Sequence, residues 1–320
     1  MTTWQTRVHG LLWEPAGDPG SPTVLRAHAV YPLIAVVVIL LGLNWPFMAI
    51  GLRSISAVWM VSFRLIGATL TLFAIAAATG RLARPARGDY PIVASVAVFR
   101  LSLVFMLVFL ALEIVPPGRS SILVWTSSLW TVPIAVAVLR ERMSRLRWLG
   151  LVAGVGGILF VFEPTRLDWS DTRVLLGHGM LLLAAVITAG VTVHIRSHTW
   201  IATPLGLLPW QMLIAAVPIT ALALVVEGIP TIDWTAGLVG IVVYQGVAAS
   251  GIAIWGQLTV LRAHPAISTS LALMAVPVVG LTSSAIIVDE SLTVAVVLGL
   301  VLVLAGVALN RIADARTASG

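Results

Sequence analysis

Long apolar runs alternate with short polar stretches along almost the whole chain. Each run is close to the roughly 20 residues that an α-helix needs to cross the hydrocarbon core of a bilayer. The runs are continuous and do not alternate residue by residue, which favours helices over the strands of a membrane barrel. The pattern predicts an all-α integral membrane protein with ten transmembrane helices, near residues 30–51, 57–79, 91–113, 119–139, 146–163, 174–194, 206–227, 236–260, 267–288 and 292–310.

The composition excludes an ordinary soluble protein. Of the 320 residues, 59% are hydrophobic and 10% are charged, whereas a soluble domain carries about a quarter charged residues. The net charge of +6 comes from 19 basic residues, all arginine, against 13 acidic ones. These arginines lie between the apolar runs and form no basic domain, so we expect a lipid bilayer around the protein and no nucleic-acid partner.

The arginines also predict the orientation in the membrane. If the N-terminus is cytoplasmic, 13 arginines fall in cytoplasmic segments and four outside, namely Arg53, Arg119, Arg166 and Arg173. This asymmetry is typical of cytoplasmic loops, so we expect a multi-pass protein of the inner membrane with both termini inside. Residues 1–29 lack the short apolar core and cleavage site of a signal peptide, and we interpret them, like residues 311–320, as cytoplasmic tails.

An internal repeat relates the two halves of the chain. A shift of 149 residues aligns 111–160 with 260–309 and superimposes Glu141 on Glu290. In both copies a glycine follows the glutamate by nine residues and another by sixteen: Gly150 and Gly157, then Gly299 and Gly306. Small residues at this spacing allow two helix backbones to approach closely, so we interpret these glycines as packing positions.

The two halves are predicted to be inverted relative to each other. Each contains five helices, an odd number, so equivalent segments run through the membrane in opposite directions. The loop charges agree, because Glu141 is surrounded by arginines and Glu290 follows Asp289 with no arginine nearby. Inverted repeats of this kind recur in secondary transporters, where exchanging the conformations of the two halves exchanges inward-open and outward-open states.

With these motifs the sequence resembles the drug/metabolite transporter superfamily, and specifically its EamA-type transporters. The resemblance rests on Gly118-Arg119-Ser120-Ser121, Arg140-Glu141-Arg142, Pro277-Val278 and Asp289-Glu290-Ser291-Leu292, together with the paired glycines. It implies two EamA repeats, here residues 30–163 and 174–310, a central cavity and alternating access. The family places a proline thirteen residues before the glutamate. The second half keeps it as Pro277, but the first has Ser128 there and Pro133 further on, which predicts a displaced bend.

Two arginines lie inside predicted helices, where an unpaired charge is costly. Arg64 is about seven residues from the outer end of its helix, and an arginine in this helix is common in the family, so a structural or gating role is favoured there over a ligand role. Arg100 lies nearer the midplane, and no Asp or Glu is placed at that depth. We therefore expect Arg100 to face the cavity and to meet a carboxylate or phosphate of the substrate.

Other polar and aromatic residues at depth complete the predicted site. Together with Arg100, the candidates for contact with the substrate are Asn44, Trp45, Trp130, Gln211, Tyr244, Gln245 and Trp255. The candidates for a structural or gating role, besides Arg64, are Pro46, Pro133, Pro277, Glu141 and Glu290. Packing between helices, or an interfacial belt for the tryptophans, is the alternative reading for most of them.

These features predict a secondary transporter that exports small metabolites, such as amino acids, or toxic compounds. No phosphate-binding glycine loop is present for ATP-driven pumping, and we expect no cofactor and no metal, since the spacing of His194 and His198 is better explained by a basic loop. A lipid flippase is the alternative, and a lipid-open groove holding Arg64 or Arg100 would favour it. A membrane enzyme would need paired acids or histidines at one depth. The coupling ion stays open, as does a homodimer.

Overall fold

The computed structural model describes residues 13–14, 24–25, 27–80, 82–140, 143–163, 171–263 and 272–318. Glu141 and most of the predicted N-terminal tail lie outside these residues. Two short strands, Trp13–Glu14 and Val24–Leu25, pair in antiparallel fashion before the first helix. The rest of the described chain is a bundle of helices.

Five helices form the first half. They are α1 (Ala27–Gly51), α2 (Ala57–Ala78), α3 (Arg87–Leu112), α4 (Pro117–Leu139) and α5 (Arg145–Phe162). The second half contains α6 (Thr172–Ser197), α7 (Pro204–Val226), α8 (Ala236–Ala263), α9 (Ala275–Ile287) and α10 (Val294–Ala318). Among the described residues, nine helices are long and apolar enough to span a membrane, and α9 is a shorter apolar helix.

The surface of the bundle is apolar where a soluble protein would be polar. Large hydrophobic side chains such as Leu70, Val138, Val217 and Ile286 are exposed, which fits contact with lipid tails. The prediction of an all-α membrane protein is confirmed.

The tenth predicted segment ends at residue 310, whereas α10 continues to Ala318. The polar residues after Asn310 end the apolar run without breaking the helix.

The middle of α3 and of α8 shows the same irregularity in both halves. Residues Val96–Leu103 in α3 and Tyr244–Ile252 in α8 form π-helical segments, in which each hydrogen bond spans five residues and a bulge results. The shift of 149 places 96–103 on 245–252, so the two segments are equivalent. The 149-residue repeat, which the sequence shows in the C-terminal part of each half, therefore also includes the middle of the third helix of each half.

Helices α5 and α10 cross at the paired glycines. A Cβ atom built on Gly157 would lie 2.7 Å from the carbonyl oxygen of Gly299, and one built on Gly150 would lie 2.7 Å from that of Gly306. Residue 150 is equivalent to 299 and residue 157 to 306, so each contact is the other's counterpart under the repeat. The packing role of these glycines is confirmed, and a pseudo-twofold axis passes between α5 and α10.

The interruptions of α4 and α9 do not lie at the prolines of these helices. Helix α4 is interrupted at Thr126 and α9 is preceded by a turn at Met274, positions within one residue of equivalence. Pro133 lies inside the continuous segment Ser127–Leu139, and the displaced bend expected there stays a prediction. At Thr126 the hydroxyl donates to the carbonyl of Leu123 at 2.5 Å, a local bond that competes with the helical ladder.

Candidate functional site

Arg64 lies at the centre of a buried polar group inside the bundle. It follows the start of α2 by seven residues, about 10 Å along the helix axis, and its side chain is 5% exposed. Its Nη1 atom donates to Oε1 of Gln245 at 2.9 Å, and it lies 3.5 Å from Oδ1 of Asn44 and 3.4 Å from the sulfur of Met48. The arginine thus connects α2 with α1 and α8.

A close approach of α2 and α8 brings Gln245 within reach of Arg64. A Cβ atom built on Gly67 would lie 2.9 Å from the Cα of Gly246, and the reverse contact is 2.8 Å. Gly67 is one turn beyond Arg64, and Gly246 directly follows Gln245 near the start of the π-helical segment. The Nε2 atom of Gln245 also donates to the backbone carbonyl of Asn44 at 3.4 Å. The side-chain amide of Gln245 therefore contacts both α1 and α2.

Aromatic rings enclose this group. The guanidinium carbon of Arg64 lies 4.4 Å from the ring centroid of Phe105 and 5.8 Å from that of Phe109, both on α3. Such contacts stabilise a cation through the negative face of the ring. On the other side, the hydroxyl of Tyr244 donates to the carbonyl of Leu40 at 2.7 Å, and its ring packs edge-on against Phe47.

No carboxylate neutralises Arg64 among the described residues. All three of its polar contacts come from Nη1 and go to neutral atoms, and its buried Nε has no hydrogen-bond partner in the described chain. A buried cation without a counter-ion is costly. The group is therefore a positively charged site enclosed by apolar and neutral side chains.

The other predicted site residues are dispersed around this group. Trp45 is buried beside Gly280, and Trp130 and Trp255 pack at the edge of the main apolar core. Gln211 is buried on α7. Arg100 is half-buried on the π-helical segment of α3, and the described contacts do not connect it with Arg64.

Glu290 binds the beginning of α4. Its Oε2 atom accepts from the backbone N–H of Gly118 at 2.6 Å and its Oε1 from that of Arg119 at 3.1 Å. A carboxylate at a helix N-terminus satisfies amides that have no partner within the helix. Burial raises the pKa of the Glu290 carboxyl, and the two backbone N–H groups oppose that rise. The contact joins the end of α9 to the start of α4.

A cavity of about 560 Å³ opens at this end of the bundle, which we call the Glu290 face. Its lining includes Leu52 after α1, Leu112 at the end of α3, and Glu290. Counted inward from Leu52, the next two turns of α1 carry Met48 and Asn44. Counted inward from Leu112, the next two turns of α3 carry Phe109 and Phe105. Arg64 therefore lies about two turns, roughly 10 Å, beneath the cavity.

Comparison with known proteins identifies the family. The sequence model of the EamA-like transporter family matches residues 29–163 and, a second time, residues 175–312. The chain belongs to the EamA-like transporter family. The double match agrees with the repeat and with the inverted arrangement of the two five-helix halves.

Similar proteins with curated names are transporters. The chain is 26% identical over 293 residues to a "Probable amino-acid metabolite efflux pump" of Escherichia coli K12, covering 87% of this chain and 93% of that protein. It is 27% identical over 205 residues to the "Uncharacterized transporter YoaV" of Bacillus subtilis, covering 64% and 70%. A solved structure matches with a TM-score of 0.63 at 16% identity, covering 89% of this chain and 97% of the other. That likeness shows the fold alone.

One polar network of this EamA-like chain was missed by sequence reasoning. At the end of the bundle opposite the Glu290 face, Asp89 at the start of α3 is fully buried. It accepts from Nε2 of His198 at 2.9 Å and from the backbone N–H groups of Ile201 and Ala202 at 3.1 and 2.8 Å. The network ties α3 to the segment between α6 and α7. We call this end the Asp89 face.

Proposed function

We propose that this chain is a secondary transporter that exports small metabolites, amino acids among them, by alternating access around the Arg64 group. The observation that carries the proposal is a charged site enclosed between two inverted halves, beneath a cavity at one face. The names of similar proteins support the substrate class, since two of them, from Escherichia coli K12 and Salmonella typhimurium LT2, are each named "Probable amino-acid metabolite efflux pump".

Alternating access requires each face to open in turn. In this structure a cavity exists at the Glu290 face, and at the opposite face the Asp89 network connects α3 with the α6–α7 segment. We propose that opening towards the Asp89 face separates these contacts, and that the Arg64 group is reached from that face in the other state. The glycine contacts of α5 and α10 suit a fixed scaffold for this motion.

We place solute contact at Asn44, Arg64, Tyr244 and Gln245, with Trp45 beside them. The predicted roles of Arg100, Trp130, Gln211 and Trp255 in binding stay predictions, as does a gating role for Glu141, Glu290 and the prolines. The proposed location is the inner membrane with the Asp89 face and both termini in the cytoplasm, because the arginine-rich loops lie at that face.

The lipid-flippase alternative is not favoured by the geometry at Arg64. A headgroup path would need a groove open to the bilayer, whereas Arg64 is enclosed by α1, α2, α3 and α8. A soluble solute entering from a cavity at one face fits the arrangement better.

Counterflow in proteoliposomes tests the proposal. Purified full-length protein is reconstituted with an unlabelled amino acid inside, and uptake of the same labelled amino acid is followed, with protein-free liposomes as the control. We expect saturable uptake of at least one neutral amino acid. Scrambling of a fluorescent lipid together with no uptake of any solute in the panel would contradict the proposal and support the flippase.

A further inference from the structure

The free edge of the Arg64 guanidinium indicates what the site binds. We propose that Arg64 is the anion-binding residue of the transporter, that it takes the carboxylate of the solute on its Nε edge, and that cationic solutes are excluded. This inference rests on the proposed function and names the substrate class of the same site.

The hydrogen bonds of Arg64 leave one side of the guanidinium unused. The contacts to Asn44, Met48 and Gln245 all come from Nη1, and Nε is buried without a partner among the described residues. A carboxylate binds arginine best through two parallel N–H···O bonds, and the Nε and Nη2 atoms form one of the edges that can make them. The protein contacts therefore orient the side chain and leave a carboxylate-binding edge available.

The charge of the site selects for the same ligand. Within the described chain the Arg64 group holds one cation, neutral amides and aromatic rings, with no acidic side chain. A bound carboxylate neutralises a cation that the protein leaves uncompensated. A solute with net positive charge would place like charges together in a poorly screened site. The amide oxygens of Asn44 and Gln245 already face Arg64, so they are poorly placed to receive an ammonium group.

The position of Arg64 favours a role in binding a transported ligand over a purely structural role. Met48 and Phe109, which border the guanidinium, are followed one turn further out by Leu52 and Leu112 in the wall of the cavity. Met48 has an unbranched side chain that adapts readily to a ligand. Movement of these two side chains would connect the cavity with the free edge of Arg64.

The first part of the test uses the wild-type protein. In proteoliposomes, labelled leucine and other neutral amino acids are compared with their amides, which keep the amine and lose the carboxylate, and with labelled methyltriphenylphosphonium. We expect uptake of the acids, no competition by the amides at concentrations about a hundredfold higher, and no uptake of the cation. Transport of amides or of the cation as efficiently as the acids would overturn the inference while leaving the proposed function standing. No uptake of any solute would instead contradict the proposed function.

The second part uses variants. In Arg64→Gln we expect KM for the acid to rise about tenfold or more, since a hydrogen bond to a charged group is lost, and the preference for acid over amide to disappear. Arg64→Lys keeps a positive charge but lacks the two parallel N–H donors of the guanidinium, so it should retain part of the preference for acid over amide. Arg173→Gln, which removes an exposed arginine at the Glu290 face, is the matched control and should behave as wild type.

Two outcomes of the variant series would overturn the inference. One is an unchanged ratio of acid to amide transport in Arg64→Gln. The other is loss of that ratio in Arg100→Gln and not in Arg64→Gln, which would place the anion site on α3. If Arg64→Gln does not fold, as judged by size-exclusion chromatography, Arg64→Lys replaces it, and an unchanged ratio of acid to amide transport in Arg64→Lys together with loss of that ratio in Arg100→Gln would overturn the inference.

Discussion

The α5–α10 contact and the Arg64 group relate to the repeat in opposite ways. At the contact, Gly150 meets Gly306 and Gly157 meets Gly299, so each half contributes the same residue type in the same role. At the Arg64 group this symmetry is lost. Under the shift of 149, Gln245 is equivalent to Val96, and α7, the counterpart of α2, contains no charged residue.

For the proposed alternating access, the difference suggests which parts of the molecule would serve both conformational states. Symmetric contacts suit a scaffold that must remain intact when the two halves exchange conformations. Under the proposed function, a binding group built from one copy of each helix would give the solute a single site that is used from both faces. The duplicated fold would then provide the alternation, and the unduplicated side chains would provide the chemistry of binding.

The largest effect is expected from disturbing the symmetric contact. In Gly157→Ala the new Cβ would meet the carbonyl oxygen of Gly299 and the backbone nitrogen of Val303 at 2.7 and 2.8 Å, so α5 and α10 must separate. We expect a loss of about 1–3 kcal/mol of stability, measured as a lower Tm in detergent. Gly156→Ala, where nothing lies within 4 Å, is the control. Equal Tm values for the two variants would contradict close packing at this contact.

A smaller and more local effect is expected at the asymmetric group. Gln245→Leu removes the 2.9 Å contact with Arg64 and should lower stability by about 1 kcal/mol, typical of polar contacts between membrane helices. It should also raise KM in the counterflow assay, because Arg64 is no longer held in place. The equivalent change in the first half, Val96→Leu, should leave KM near that of wild type. A similar rise in KM for both variants would show that the site follows the repeat.

The smallest effect is a pH dependence at the Glu290 face. Burial raises the pKa of Glu290 above its ordinary value of 4.5, so the folded state binds the proton more tightly than the unfolded state. The resulting stability is fully present below pH 4.5 and is lost as the pH rises through the raised pKa.

The difference in Tm between wild type and Glu290→Gln, followed from pH 4 to pH 8, measures this contribution. The advantage of wild type over the variant should shrink as the pH rises. Glu113→Gln, which removes an exposed carboxyl that lines the same cavity without contacting the α4 amides, is the matched control. A wild-type advantage that grows with pH would contradict the predicted direction.

Sequence reasoning predicted the scaffold better than the site. Apolar length, charge asymmetry and the 149-residue shift are local or periodic signals, and they were enough for the ten segments and the paired glycines. The Arg64 group joins residues 20 and 181 positions away from Arg64, and a single sequence contains no information about which faces of separate helices meet.

Individual residues show where this limit lies. The sequence favours Arg100 for the anion site because it lies nearer the midplane than Arg64, and this role stays a prediction, since depth alone does not show which side chains converge. Phe105 and Phe109 could not be distinguished from other apolar residues of α3. The π-helical segments have no propensity signal, although they set the positions of Tyr244 and Gln245. Asp89 and His198 are 109 residues apart, so their pairing could not be predicted.

Accessibility of a single cysteine beside Arg64 tests the central claim most directly. The chain contains no cysteine, so Met48→Cys introduces a unique thiol between the cavity and Arg64, and Leu70→Cys introduces an exposed, lipid-facing control. Alternating access around Arg64 predicts that a membrane-impermeant thiol reagent labels the Met48→Cys variant from either face of the membrane, and that a transported amino acid protects it while its amide does not. Labelling from one face only, or labelling unaffected by any carboxylate solute, would contradict a solute site at Arg64 reached in turn from both sides.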